Sequence, residues 1–309
     1  MSANEDRAKS ARRLGEAVLA VRAAHRTGVL VRGKDRTSWL NGLVTCDLAK
    51  LGPGDAAYGL VVEKKGRIQT DLFAIPAAAA APVLALSVPC ALRDAILETL
   101  DHHLVMEDVE LEAAELDTWI LHGPKAKDVT ARLAAPYAGS VDLLGVGGAA
   151  VAAPSEESEG FLARLTSIVG EVGGAVIDDA EWEPLRIERG LPRFGVEVDA
   201  TLYPQEASLE KLAVSFDKGC YLGQEVVYML ENRGHAKRRL VPLEIEGDTP
   251  VAVGAPVATV EGAAVGEVKS SVMGPASGKP AAIAMVKWVH AKAGTELRVA
   301  GRVARVRGG

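Results

Sequence analysis

The sequence predicts an α+β protein with a separate, small antiparallel β-barrel or sandwich at its C-terminal end. Residues 57–104 read strand, strand, strand, helix, an order that lays helices on one face of an antiparallel sheet. Beyond Arg238 the texture changes to short Val/Ile/Leu segments separated by Gly: LVPLEIEG, PVATVEG, AVGEVKSS and TELRVAGRVARVR. With 309 residues, 48% of them apolar, the chain suits two or three packed domains rather than one minimal core. A boundary is expected near residue 240, dividing a bipartite α+β region (1–239) from the barrel (240–309).

An opening helix is expected over residues 8–24 and a strand at Gly28–Val31. In GKDRTSWLNGLVTCDL, Asp35 is placed to cap a short helix carrying Trp39, Leu40 and Leu43 on one side. Residues 57–75 have the form of a hairpin, its polar turn centred on Lys64–Gly66 with Gly66 at positive φ. A third strand covers Val83–Val88, and Leu92, Ile96, Leu97, Leu100 and Leu104 then repeat at helical spacing. LDTWILHGPKAKDVTARLA has a strand, Gly-Pro turn and helix order like that of residues 28–43, as if two halves of one domain were related. Residues 134–160, rich in Ala, Gly, Ser and Pro, read as loops with short strands.

Composition excludes several function classes. The net charge of −6 argues against a wholesale binder of nucleic acid or anionic membrane. The first 26 residues have acidic groups at Glu5 and Asp6 and no uninterrupted apolar stretch, unlike a secretory signal. The longest low-polarity run, Ile75–Pro89, contains three prolines and is too short to span a bilayer. A cytoplasmic protein is expected. Cys46, Cys90 and Cys220 are too few and too scattered for a disulfide framework, a zinc site or an iron–sulfur cluster of the chain's own. No metal is expected, and His102–His103 diverge by about 100° if helical, so they read as helix-end residues.

The least ordinary stretch is KGCYLGQE, Lys218–Glu225. Gly219 and Gly223 permit a sharp turn around the Cys-Tyr pair, and a helix starting near Gly223 would carry Gln224 and Glu225 in its first turn. That helix end, with Lys218 two residues before Cys220, favours a thiolate. Chemistry alone gives more weight to a plain reading, a tight turn filled by a small cysteine.

KGCYLGQE resembles the K-G-C-Y-x-G-Q-E signature of the YgfZ-type folate-binding proteins, relatives of the glycine-cleavage aminomethyltransferase. Gly33, Asp35, Trp39, Leu40, Gly42, Thr45 and Asp47 match that family's N-terminal G-x-D-x-x-x-F-L-Q-G-x-x-T-x-D. LRIERGLPRFGVEV (185–198) resembles the superfamily's L-R-x-E-x-G-x-P-x-x-G, followed by Pro204 and Glu206 as P-x-E. The resemblance runs in order from about residue 28 to the C-terminus. It implies an aminomethyltransferase-like, ring-like architecture of three parts, with a ferredoxin-like layer, a central site for tetrahydrofolate or a one-carbon derivative, and a terminal β-barrel. It also implies a helper of iron–sulfur protein maturation or repair and of cluster-dependent tRNA modification. Its partners would be a reduced folate and iron–sulfur client or assembly proteins.

By the same resemblance Cys220 is the working thiol and Lys218 its electrostatic partner, while Tyr221, Gln224 and Glu225 hold the loop or contact what it binds. Glu188 matches the glutamate that hydrogen-bonds the pterin, where a carboxylate accepts two adjacent N–H groups. Without the motif it reads as a helix-surface carboxylate paired with Arg186 or Arg189. Asp71 matches the second aspartate of the G-G-x-x-D-D hairpin of aminomethyltransferases, a proton-acceptor position. Thr70 and Arg67 replace other members of that motif, and LEKLAVSFDKGCY replaces an arginine-rich stretch, which separates this chain from the transferases. A folate-dependent aminomethyl or one-carbon transferase remains the enzyme alternative. An RNA-binding module built on Arg233, His235, Lys237, Arg238 and Arg239 is a third, disfavoured because no aromatic residues interleave with the cluster.

Overall fold

A computed structural model describes residues 3–78 and 82–308. The chain divides into two compact units, Arg12–Asp179 with Leu212–Gln224, and Ala180–Lys211 with Glu225–Gly309 and Met1–Ala11.

The chain opens with α1 (Ala3–Glu16) and β1 (Leu19–Arg22), so the helix expected over 8–24 begins and ends earlier. Burial explains the stop. Val18, Leu19, Ala20 and Val21 are all buried, and four consecutive buried residues suit a strand covered on both faces better than a one-sided helix. The first unit then runs β2 (Arg26–Arg32), α2 (Arg36–Asn41), β3 (Ala57–Val62), β4 (Ile68–Pro76), β5 (Val83–Pro89), α3 (Arg93–Asp101) and β6 (Glu110–Ala114). The second half follows with β7 (Leu116–His122), α4 (Ala126–Leu133), β8 (Tyr137–Ser140), β9 (Gly148–Pro154), α5 (Ser158–Glu171) and β10 (Ala175–Ile177).

These strands form two five-stranded sheets, ordered β3-β4-β5-β2-β6 and β10-β1-β7-β9-β8. The expected hairpin is present as β3–β4, with Gly66 at φ 77° in its turn. The expected likeness of residues 28–43 to 116–134 extends further than the sequence indicated. Each half has a strand and short helix joined at a glycine, and later a strand ending in proline, a 3-10 turn and a longer helix. Asp35 stands at the N-cap of α2, but its carboxylate accepts the Asp108 N–H at 2.9 Å and makes no side-chain cap bond.

The segment read as loops with short strands holds β8 and β9, the latter an interior strand of its sheet. Ala149–Ala153 on β9 are fully buried although alanine has low strand propensity, so burial against α4 and α5 overrides it. In that core Trp119 meets Phe161 with ring centroids 4.6 Å apart. A separate core under the other sheet gathers Trp39, Leu40, Leu72, Leu86, Ile96 and Leu100.

In the second unit α6 (Asp179–Arg189) leads into an irregular stretch. Arg186, 1% exposed, bridges Glu183 and Glu197, both Glu197 contacts being 3.0 Å. Following α7 (Glu210–Ala213) and α8 (Gln224–Asn232), six strands close a barrel. They are β11 (Arg238–Ile245), β12 (Pro256–Ala258), β13 (Ala264–Met273), β14 (Pro280–Lys287), β15 (Glu296–Val299) and β16 (Arg302–Val306), in the order β11-β14-β13-β12-β15-β16. The α+β class and the terminal barrel expected from the sequence are both present. No helix among the described residues is long and apolar enough to cross a membrane.

Burial of His122 on β7 sets an acid limit on the fold. Desolvation pulls its pKa down to about 3, opposed by the nearby Asp142 carboxylate. An unfolded histidine titrates near ~6.5, so between those values the unfolded chain binds a proton that the folded chain does not. Stability is therefore complete above pH ~6.5 and falls below it by up to about 1.4 kcal/mol per pH unit. Urea unfolding from pH 7 to 4 is expected to show a shallower pH dependence in His122→Asn than in the unmutated chain.

Candidate functional site

The two stretches singled out at opposite ends of the sequence form one substructure. Thr45, just beyond α2, is bonded in both directions to Leu60 of β3, through its N–H (2.9 Å) and its Oγ1 (2.9 Å). Its hydroxyl donates to the Ala213 carbonyl at 2.6 Å, and its own carbonyl accepts the Ser215 N–H at 2.9 Å. Leu222 N–H reaches the Gly42 carbonyl at 3.0 Å. Between these ties Lys218 extends its Nζ to the carbonyls of Asn41 (2.6 Å), Val44 (2.9 Å) and Cys46 (2.6 Å).

An ammonium has three N–H donors, and here each has an acceptor. Lys218 is 8% exposed, and burial lowers its pKa to about 8 while Cys46 and Asp47 hold it up. Its Nζ lies 5.3 Å from the centre of the Tyr221 ring. The expected pairing of Lys218 with the Cys220 thiol is therefore replaced by a backbone anchor. Cys220 itself is a free, exposed cysteine. Gly219 beside it has open space around its Cα, so no packing demands glycine there. Gly223 is different, with φ at +78° and a Cβ that would sit 2.3 Å from the Glu63 carbonyl oxygen. Gln224 starts α8 as expected, its N–H bonded to the Tyr221 carbonyl at 3.1 Å, and Glu225 is exposed in the first turn. Tyr221 is 7% exposed, its hydroxyl has no hydrogen-bond partner, and burial raises its pKa to about 12.

Asp71 lies inside the first unit on β4 and is 5% exposed. One carboxylate oxygen accepts Arg26 Nη1 at 2.9 Å, and the other accepts the Tyr58 hydroxyl at 3.0 Å. Arg26 also donates to the Ser87 hydroxyl (3.1 Å) and carbonyl (2.7 Å), and Thr118 donates to the Ser87 hydroxyl at 2.9 Å. Burial and the neighbouring carboxylate push the Tyr58 pKa well above its ordinary value. Arg26 and Tyr58 were not legible as partners, since Arg26 opens its strand between His25 and Thr27 and nothing local marks it as buried. Once an arginine is known to be buried, a carboxylate is expected beside it.

Glu188, in the second unit, is 4% exposed and not paired to Arg186 or Arg189 on a helix surface. Its carboxylate accepts two adjacent backbone N–H groups of the β13–β14 turn, Ala276 at 2.9 Å and Ser277 at 2.8 Å. Glu206, also buried, accepts Arg238 Nε at 3.1 Å, and Arg239 bonds Glu210 at 2.5 Å. The basic cluster is thus partly neutralised. It does have an aromatic neighbour that sequence proximity hid, for the Trp288 ring stacks on His235 with centroids 5.5 Å apart. Among the described residues, no three His, Cys, Asp or Glu side chains converge to hold a metal ion.

The fold thus comprises two five-stranded sheets and a closed six-stranded barrel. The glycine cleavage system aminomethyltransferase T of Bartonella henselae superposes with a TM-score of 0.80 at 20% identity, over 98% of this chain and 88% of that one. Residues 3–173 match the GCVT N-terminal domain, and residues 238–307 match the glycine cleavage T-protein C-terminal barrel domain. The chain belongs to the GCVT, or glycine cleavage T-protein, family. Curated relatives include aminomethyltransferases of Rubrobacter xylanophilus (30% identical, over 85% of this chain and 74% of the relative) and Herpetosiphon aurantiacus (29%, 89% and 80%). The tRNA-modifying protein YgfZ of Colwellia psychrerythraea is 25% identical over 72% of this chain and 70% of its own length.

The two glycines of the octapeptide should separate cleanly on mutation. Gly223→Ala meets both a positive φ and a backbone oxygen, and is expected to lose more than about 1 kcal/mol of stability in urea unfolding. Gly219→Ala meets neither and should stay within about 0.5 kcal/mol of the unmutated chain.

Proposed function

We propose that this chain is a folate-binding accessory protein of the YgfZ kind. In this reading it supports iron–sulfur protein maturation or repair, and cluster-dependent tRNA modification, through Cys220. The observation that carries the reading is an exposed thiol on a loop whose flanks are tied to the rest of the unit through backbone carbonyls. Such a thiol is presented outward to a partner. The iron–sulfur and tRNA parts rest on the KGCYLGQE resemblance and on the YgfZ relative.

A reduced folate fits the chemistry of Glu188. Glu188 already accepts a side-by-side pair of N–H groups, the pattern a pterin edge presents, and each of its oxygens keeps a second lone pair. When bound, the folate supplies one-carbon chemistry; the chain's residues hold and orient it. Gln224 and Glu225 then shape the contact with a client.

The second reading is a folate-dependent aminomethyltransferase, favoured by the names of relatives such as those of Herpetosiphon aurantiacus and Rubrobacter xylanophilus. Against it stands the state of Asp71, whose two oxygens are taken by Arg26 and Tyr58. There Asp71 serves two internal partners, and Thr70 supplies no second acid.

Titration with tetrahydrofolate, followed by the fluorescence of Trp182 on the helix that carries Glu188, should give saturable binding. Glu188→Gln is expected to weaken it about tenfold or more, equivalent to about 1.4 kcal/mol. Cys220→Ala should bind folate normally yet fail to restore cluster-dependent tRNA modification in cells lacking the protein. A folded sample that binds no folate removes the folate half of the reading, and a functional Cys220→Ala removes the thiol. Sustained formation of methylene-tetrahydrofolate that Asp71→Asn abolishes would establish the transferase instead.

A further inference from the structure

Three main-chain carbonyls of the α2–β3 connection, those of Asn41, Val44 and Cys46, point at one place and enclose a nitrogen at 2.6, 2.9 and 2.6 Å. Oxygens converging in this way build a site for an ammonium-type cation, because each carries a partial negative charge and needs a donor once buried. The aromatic face of Tyr221 adds a further cation-attracting surface, 5.3 Å from the same nitrogen. The groups facing this point are the Cys46 thiol, the Asp47 carboxylate and the Tyr221 ring.

We propose that Asn41, Val44 and Cys46 form an alkylammonium socket whose resident ligand is the chain's own Lys218, and that this internal ligand fixes the loop bearing Cys220. Lys218 is a positioning residue. It acts on Cys220 through the backbone, since its three donors leave none for the thiol. The socket deepens the reading of Cys220 as the working thiol, and its own test needs neither folate nor a client.

The direct test removes the ligand and offers it back. In Lys218→Ala, hydrogen exchange of the Ser215 and Leu222 amides, which close onto Thr45 and Gly42, should accelerate about tenfold or more. Ethylammonium or propylammonium should restore their protection by filling the vacated socket, whereas tetramethylammonium, which has charge but no N–H, should not. Unchanged exchange in the variant, or equal rescue by tetramethylammonium, overturns the proposal. Should Lys218→Ala not fold, the unmutated protein decides the matter. Under reductive dimethylation Lys218 should be modified far more slowly than the exposed Lys64 and Lys65. Equal rates would show that the socket is not occupied. Rescue in vitro combined with a functional Cys220→Ala in cells would keep the socket and discard the thiol's role, so the two ideas fail separately.

Discussion

A single buried ammonium holds together parts of the chain that lie more than 170 residues apart in sequence. Lys218 is bonded to carbonyls at positions 41, 44 and 46, with |i−j| of 177, 174 and 172. Main-chain oxygens that leave water must be satisfied, and a compact three-donor group at the end of a flexible stem meets three converging acceptors better than a planar guanidinium does. Thr45 reinforces the same seam from within, bonding Leu60 on one side and Ala213 and Ser215 on the other. The exposed position of Cys220 follows from this seam, as does the sharp exit through Gly223 into α8.

A second buried cation organises the interior of the same unit. Arg26 on β2 gathers Asp71 of β4 and Ser87 of β5, and Thr118 of β7 joins through Ser87, so the network reaches from one sheet into the other. Removing either member of such a pair strands an uncompensated charge, at a cost of about 3–5 kcal/mol. This gives the acid a structural task. The family's fold is kept, and the hairpin acid is held between a guanidinium and a phenol.

Much of the fold was legible because local pattern and burial agree. The hairpin at 57–75, the helix after Cys90 and the Gly-separated barrel strands each have one face to bury and a turn residue to reverse the chain. Local pattern failed where tertiary burial dominates. Residues 19–21 look helical in isolation and become strand because they are buried on both faces, and the alanines of β9 are strand for the same reason. The octapeptide was visible as unusual, yet the direction of Lys218 was not, since its acceptors are main-chain oxygens without a sequence signature. The aromatic neighbour of His235 was likewise hidden, because Trp288 lies on the far side of the barrel sequence. Glu188 was recognised by motif, but its anchoring of the 276–277 turn is a property of the closed barrel alone.

The two motifs act as one body, and a double-mutant cycle between Thr45 and Lys218 tests that directly. Thr45→Val and Lys218→Met each remove donors from the same seam, and their effects on urea unfolding are expected to be non-additive, with a coupling of about 0.5–3 kcal/mol. Strict additivity within about 0.3 kcal/mol would contradict it, leaving the N-terminal motif and the cysteine loop as independent features.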